Sequence, residues 1–538
     1  SVQVIVSPVP TNSTVYSVIR FGTADLTKTL YFIAGNPPPS ELTRGFVSGL
    51  AADPAEPLDK TFSYRGVHTV DMSTQEQSAA TTPKTQSPDV VVVGAGTAGC
   101  YAAATISREG YDVVILERKS ESEAGHIACG DALKGADSFP EAIPKSKLEP
   151  AFTNTGVDHG RFEIPQEDTV LEIPIPGELA VIDRWEYGRR IIDGAGDVGV
   201  DFHYDTVVKN VRQDDDGRVT GVETIRKGDP LTYEADIVID AAGSLSVLQD
   251  HVDFSASSFD TNVNYTHFCS AYREIVHVDE PVEWDDALVF KPTERAAGYL
   301  WYFPRTDTEI NAGLGFQMTE EPMKLVDDLK RDLETRPEFR DAEVEDKLGA
   351  ALPTRRPYDS AVHPGYMAIG DAAGHVNPTT GGGIAGAAYG GKYAGEAAIE
   401  ALETGDVSEK ALWEYNERVM DHFGARYAAL DVYNILSTAV DVDDLMGLLA
   451  AMPGEKLAEA LYSGSTSIGP KLAAESLLNS RGHWGTIWTL FQTKRRADDL
   501  LELYEGYPHH PAALEHWQQR RDDIMEQVYE TTGAEPKY

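Results

Sequence analysis

Four valines in succession, Val90-Val91-Val92-Val93, run straight into the loop Gly94-Ala95-Gly96-Thr97-Ala98-Gly99. Such a β-branched run reads as a buried parallel strand. An Ala-rich helix follows from about Ala98 to Glu109 and ends near Gly110. Val113-Val114-Ile115-Leu116 is then a second strand, with Glu117 at its end. In this order each residue has a physical task. Gly94 allows the tight turn, Gly96 lets backbone approach a pyrophosphate, and Gly99 lets helix and strand pack closely. The helix N-terminus offers N–H groups and a partial positive charge to phosphates. Glu117 is placed to accept hydrogen bonds from an adenosine ribose. The loop implies a dinucleotide and does not choose between NAD and FAD.

Residues further along the chain make that choice. Tyr366-Met367-Ala368-Ile369-Gly370-Asp371-Ala372-Ala373-Gly374 reads as a strand entering a turn with a carboxylate at its tip. Asp371 is placed to accept hydrogen bonds from a ribityl chain. Gly381-Gly382-Gly383-Ile384 opens a second helix, from Ala385 to about Leu402, whose N-terminus suits a flavin ring and its diphosphate. An NAD domain has no need of this second loop. Ile237-Val238-Ile239-Asp240-Ala241-Ala242-Gly243, preceded by a meander turned at Asp215-Asp216-Gly217, resembles an element of flavoproteins that bind two dinucleotides. Together these imply FAD. No metal site is expected.

A chain of 538 residues is ample for two or three domains. Its 87 acids against 46 bases give a charge of −41, spread along the chain. Such a polyanion repels nucleic acid, so no nucleic-acid partner is expected. A solvated acidic surface of this kind is commonest in proteins that live in concentrated salt, where screening lengths fall to about 3 Å at 1 M. The three cysteines, Cys100, Cys129 and Cys269, cannot make a disulfide framework and fit a reducing cytosol. No apolar run approaches the roughly 18 residues of a membrane span, and no secretory signal is read. A cytoplasmic location is expected.

Residues 1–71 differ from the rest. They hold six acids and five bases, are rich in Pro, Ser and Thr, and show no sustained period. Met72 follows, then a short polar tail and the valine strand. The expectation is a natural start at Met72, with residues 1–87 a disordered or non-native extension.

Four segments resemble the geranylgeranyl reductase family, flavoenzymes that saturate isoprenoid chains. They are the glycine loop; His126-Ile127-Ala128-Cys129-Gly130-Asp131; Tyr299-Leu300-Trp301-Tyr302-Phe303-Pro304 with Gly313-Leu314-Gly315; and Gly370 through Ile384. The third is similar to the family's substrate-site pattern, which related flavin hydroxylases lack. The resemblance covers about residues 88–400. It implies an α/β (α+β) fold: an FAD-binding Rossmann-like domain of the p-hydroxybenzoate hydroxylase type, an antiparallel-sheet substrate domain and a helical C-terminal region. Residues 88–250 and 355–400 would form the FAD domain, 251–354 the substrate sheet, and 401–538 the helical region. Flavin contacts carried over are Ala98, Glu117, Cys129, Gly130, Arg184, Val208, Asp371, Gly383 and Ile384, alongside the loop glycines Gly94, Gly96 and Gly99. Substrate contacts are Tyr299, Trp301, Phe303, Pro304, Gly313 and Gly315. Asp131 departs from the pattern, since archaeal relatives often have Glu there.

The chemistry implied is reduction of an isolated trisubstituted alkene, with hydride to one carbon and a proton to the other. Positive charge developing on carbon needs a dry pocket with π-faces. Alternation puts Tyr299, Trp301 and Phe303 on one face of a strand; the alternative is a sheet face packed in the core. Cys129 is either a proton relay, as the one catalytic candidate, or a small residue fitted beneath the flavin. Cys100 is expected to pack, and His375 to be a satisfied polar side chain rather than a base. In the C-terminal region, Trp484, Trp488 and Phe491 share a helical face just before Lys494-Arg495-Arg496. That pattern suits either peripheral contact with the inner face of the membrane or ordinary packing on the core. The expected substrate is the geranylgeranyl chain of an ether lipid of a salt-adapted, haloarchaeal host, with a menaquinone prenyl tail as the alternative. A flavin monooxygenase or halogenase of the same fold is the rival class. Ferredoxin and NAD(P)H both stand as electron donors.

Overall fold

The computed structural model describes residues 17–23, 26–32, 84–440 and 484–538, except 135–138, 166–168, 176, 245, 294–297, 319–320 and 322. The chain divides into two units, Ser1–Thr82 and Pro83–Tyr538. In the first, where the sequence predicts an unstructured extension, β1 (Ser17–Thr23) and β2 (Leu26–Phe32) pair as an antiparallel hairpin. Met72 lies outside the described residues.

The second unit begins with β3 (Lys84–Gln86), β4 (Val90–Val93), α1 (Thr97–Arg108) and β5 (Val113–Leu116). Strands β6 (Ala132–Lys134), β7 (Phe152–Asn154), β8 (His159–Ile164), β9 (Thr169–Pro174) and β10 (Leu179–Ile182) lead to α2 (Arg184–Gly196). Then come β11 (Asp201–His203), β12 (Thr206–Gln213), β13 (Val219–Arg226), β14 (Asp229–Glu234) and β15 (Ile237–Asp240). The next stretch holds β16 (Phe268–His277), β17 (Ala287–Pro292), β18 (Gly298–Pro304), β19 (Glu309–Gln317), α3 (Met323–Thr335) and β20 (Glu343–Pro353). After β21 (Val362–His363) and β22 (Tyr366–Ala368) come helices α4 (Ile384–Thr404), α5 (Glu409–Val419), α6 (Ala425–Ala439), α7 (Trp484–Glu505) and α8 (Leu514–Thr532).

Six strands form a sheet in the order β11-β5-β4-β15-β22-β21, parallel except for the last pair. β4, β5 and β15 are buried along their whole length, as the aliphatic runs of β4 and β5 require; β15 ends on buried Asp240. The meander β12-β13-β14 turns where expected: Gly217 takes φ +83° and Asp214 accepts hydrogen bonds from Asp216 N and Arg218 N. A seven-stranded sheet, β20-β16-β19-β18-β17-β8-β9, carries the substrate pattern. Its strand β18 alternates cleanly. Leu300 and Tyr302 join one core cluster with Leu325 and Leu329 of α3, whereas Trp301 and Phe303, with Tyr299 against them, join another on the opposite face.

The helices after 400 share the core of the FAD domain: Trp413, Leu430, Leu500 and Trp517 belong to the same cluster as Val92 and Ile239. A π-helical turn, Met420–Gly424, joins α5 to α6. On α7, Trp488 is 63% and Phe491 50% exposed, so these rings do not pack on the core. They stack on each other at 6.0 Å. The Trp484 side chain lies outside the described residues. Part of the cationic cluster beside them is neutralised locally, Lys494 by Asp498 and Arg496 by Asp499.

Helices α1 and α4 approach closely because the contact surface is glycine. A Cβ on Gly391 would lie 2.3 Å from the Ala98 carbonyl oxygen. Gly391→Leu is therefore expected to cost about 3 kcal/mol or more, read as a lower denaturant midpoint.

Candidate functional site

The glycine loop is held from three directions. Gly94 takes φ +108°, and a Cβ there would fall 2.4 Å from the Ala241 carbonyl oxygen. A Cβ on Gly99 would fall 2.1 Å from the Gly94 carbonyl oxygen. By contrast nothing lies within 4 Å of a Cβ on Gly96, so that face of the loop is open. No side chain caps α1, which leaves its N-terminal N–H groups for a ligand. Glu117 does more than the sequence suggests. Its carboxylate accepts from Ala95 N at 3.0 Å and Lys119 N at 2.8 Å, bracing the loop from the neighbouring strand. Val208, half-buried on β12, lies just beyond Thr206, whose N–H bonds the Glu117 carbonyl.

Arg184 opens α2, whose N-cap Asp183 accepts from Trp185 N and Glu186 N. Arg184 is 4% exposed, and its guanidinium reaches Thr97 Oγ1 at 3.4 Å. Arg184 Nη1 is buried with no partner among the described residues. It lines a narrow cleft with Ala95, Gly96, Thr97, Gly125, Ile127, Gly188 and Ile191. An orphan buried cation beside an open glycine and an uncapped helix end fits a diphosphate.

Asp371 adjoins this cleft. Gly370, at φ +63°, brings its backbone so near α1 that a Cβ would sit 2.9 Å from Ala98 Cβ. Ser244 Oγ donates to Asp371 Oδ2 at 2.9 Å. The Oδ1 atom faces Gly383, 3.6 Å from where a Cβ would be. Burial raises the Asp371 pKa. Gly383 and half-buried Ile384 begin α4, which also lacks a side-chain cap. The residues present therefore fit FAD: diphosphate at Gly94–Gly99 and Arg184, ribose at Glu117, ribityl hydroxyls at Asp371.

The substrate pattern is assembled across β18 and β19. Gly313 lies opposite Trp301 and Gly315 opposite Tyr299. A Cβ on Gly313 would lie 2.4 Å from the Trp301 indole, so Gly313 clears room for that ring, whereas a Cβ on Gly315 would meet Cys269 Sγ at 3.3 Å. Pro304, buried, ends the strand. Tyr299 OH donates to the Thr380 carbonyl at 2.7 Å, joining this face to the loop before α4. At the other end, a Cβ on Gly130 would be 3.2 Å from Phe303 and 3.5 Å from Trp301 Nε1. Cys129 is half-buried, and its sulfur accepts from Asp131 N at 3.3 Å. Burial, then the Asp131 charge, raises its pKa, so the thiol holds its proton at neutral pH.

Three residues that sequence reasoning missed connect these parts. Asn311, fully buried, accepts from Trp301 Nε1 at 2.9 Å and donates to the Cys129 carbonyl at 2.8 Å. Arg305 pairs with buried Asp131 at 2.8 Å, and Asp131 itself takes φ +70°. Ser244 orients Asp371. The available signal was a polar residue inside an apolar strand, Ile310-Asn311-Ala312. His375 is a satisfied polar group: Gly370 N donates to its Nδ1 at 3.2 Å. Cys100 is fully buried against the Ala95 carbonyl.

The sequence matches the FAD binding domain family over residues 87–424. It is 30% identical over 416 residues to digeranylgeranylglycerophospholipid reductase 2 of Methanopyrus kandleri, covering 71% of this chain and 97% of that relative. The chain belongs to this reductase family. Another member, digeranylgeranylglycerophospholipid reductase of Sulfolobus acidocaldarius, is 28% identical over 449 residues, covering 81% of this chain and 97% of the relative. A geranylgeranyl bacteriochlorophyll reductase-like protein of Thermoplasma acidophilum superposes with a TM-score of 0.62 at 21% identity, covering 77% of this chain and all of the other. A flavin-dependent brominase superposes at 0.53 with 16% identity, covering 81% of this chain and all of the brominase. These structures share the fold.

Hydrogen bonds to charged groups contribute about 1.5–3 kcal/mol. Arg184→Met should therefore weaken FAD binding about 10- to 100-fold, measured by flavin fluorescence titration. A pH effect follows from the histidines. Burial lowers His375 to about 3, and burial with the nearby Arg355 lowers His267 to about 3. The unfolded chain takes up these protons first, so stability rises with pH from about 3 to 6.5 and is lost on acidification. Each contributes up to about 1.4 kcal/mol per pH unit. Replacing His375 with Gln should flatten the acid limb of the stability curve by that amount.

Proposed function

We propose that this protein is an FAD-dependent reductase that saturates carbon–carbon double bonds of geranylgeranyl chains in archaeal ether membrane lipids. The observation that carries the reading is kinship with digeranylgeranylglycerophospholipid reductases along 97% of their length. Bound, reduced FAD supplies the hydride. The protein's own residues account for the rest. Tyr299, Trp301 and Phe303 form an aromatic face that excludes water and stabilises positive charge developing on the first alkene carbon, the one that receives the hydride. Asn311 fixes the indole of Trp301 and the backbone of Cys129 relative to each other. Cys129 keeps a proton beside that face and delivers it to the second carbon.

A halogenase reading is favoured by fold alone, and no Lys-bearing halide-channel motif is recognised in the chain. No helix among the described residues is long and apolar enough to cross a membrane. Exposed Trp488 and Phe491 support peripheral docking where a lipid substrate resides. The −41 charge supports a salt-adapted host. Ferredoxin and NAD(P)H are the electron donors to compare.

Lipid mass spectrometry of a strain lacking the gene tests the substrate. Added unsaturation should appear in the membrane ether lipids. A change confined to the quinone tail would move the assignment there, and no change in either would overturn it. General-acid groups contribute about 100- to 10,000-fold. Cys129→Ala should accordingly retain FAD and lose at least about 100-fold in turnover. Full turnover would exclude the proton role.

A further inference from the structure

Apart from the exposed rings of α7, the helical region after residue 400 packs on the core, and one part of it reaches the flavin loop. After α8 the chain turns at Gly533, φ +73°, and carries Lys537 and Tyr538 back into the protein. Lys537 is 8% exposed. Its ammonium donates to Asp431 Oδ1 at 2.6 Å, to Asn434 Oδ1 at 2.9 Å and to the Thr354 carbonyl. Its carbonyl accepts from His267 Nε2 at 2.7 Å. Tyr538 OH donates to Asp431 and accepts from Arg356 N at 3.0 Å, with the Arg356 guanidinium 3.6 Å over its ring.

Asn434 is the link onward. Its Nδ2 donates to the Pro378 carbonyl at 3.1 Å. Pro378 lies in the loop between Asp371 and Gly383, the loop that Tyr299 touches at Thr380. An ammonium has donors only, whereas an amide has one accepting and one donating end. Lys537 therefore dictates which way the amide faces: oxygen toward Lys537 and Gln317 Nε2, nitrogen toward the loop. A buried ammonium is costly unless compensated, and here Asp431 and two further oxygens compensate it.

We propose that Lys537 is a positioning residue for FAD, acting through the Asn434 amide to hold the Pro378–Gly383 loop in its binding shape. The proposal rests on the FAD assignment of the site and not on the identity of the alkene. Two variants separate positioning from bulk stability. Lys537→Met removes the orienting donor. Asn434→Asp retains a partner for Lys537 but presents only acceptors to the Pro378 carbonyl.

The experiment measures FAD release from the full chain by recovery of free-flavin fluorescence after dilution, alongside thermal unfolding. Both variants should release FAD about tenfold faster or more, and the double variant no faster than the worse single one, since both act on one contact. Release within about twofold of the parent for Asn434→Asp, or additive effects in the double variant, would overturn the proposal. Should Lys537→Met fail to fold, Asn434→Asp decides alone. A parent that binds no FAD would instead overturn the site assignment.

Discussion

The close approach of three backbones at the head of α1 is the constraint on which the rest depends. Gly94 and Gly99 bring the loop and the helix against β4 and Ala241, Gly370 brings the Asp371 turn onto Ala98, and Gly391 brings α4 onto the same helix. At each place a single Cβ would overlap backbone or a neighbouring Cβ. Removing side chains there lets segments distant in sequence share one cleft. It also leaves the N-termini of α1 and α4 without a side-chain cap, so the packing that stabilises the core suits these helix ends to an anion.

The second half of the candidate site depends on buried polar ties between the Cys129 loop and the seven-stranded sheet. The loop carrying Cys129 is fastened to the large sheet by Asp131–Arg305 at 2.8 Å, by Asn311 to the Cys129 carbonyl, and by His126 to Asp346 at 2.7 Å. Asp346 is in turn paired with buried Arg273. Desolvation offsets much of the attraction in such pairs, but removing one partner strands the other. They contribute definition more than net stability: a thiol, a glycine backbone and an aromatic face held at fixed separation.

Legibility in the sequence follows interaction range. The valine run, the glycine spacings and the alternation in Tyr299–Pro304 are local patterns, and β4, β5, α1, β15 and α4 stand within a residue or two of their expected bounds. The aromatic face was legible because strand period is local, and the role of Gly313 follows once β18 and β19 pair in register. Arg305 and Asn311 were not legible, because their meaning lies in partners on the Cys129 loop far along the chain. Glu117 was found for one reason and has a second, its bond to Ala95. For the helices after 400, amphipathic patterns announced helix but not that they would complete the core beside the parallel sheet.

By itself the sequence determined a dinucleotide cleft, its specialisation to FAD, and an aromatic strand face. These rest on spacings of one, two and three residues, which backbone geometry converts directly into position. Only the tertiary structure decided that Gly130 meets Trp301 and Phe303, that Asn311 ties to the Cys129 carbonyl, that a buried Arg184 nitrogen has no partner among the described residues, and that Lys537 closes on Asn434. Those outcomes depend on which segments bury one another. A donor or acceptor on its own carries no record of the distant group that desolvation will oblige it to find.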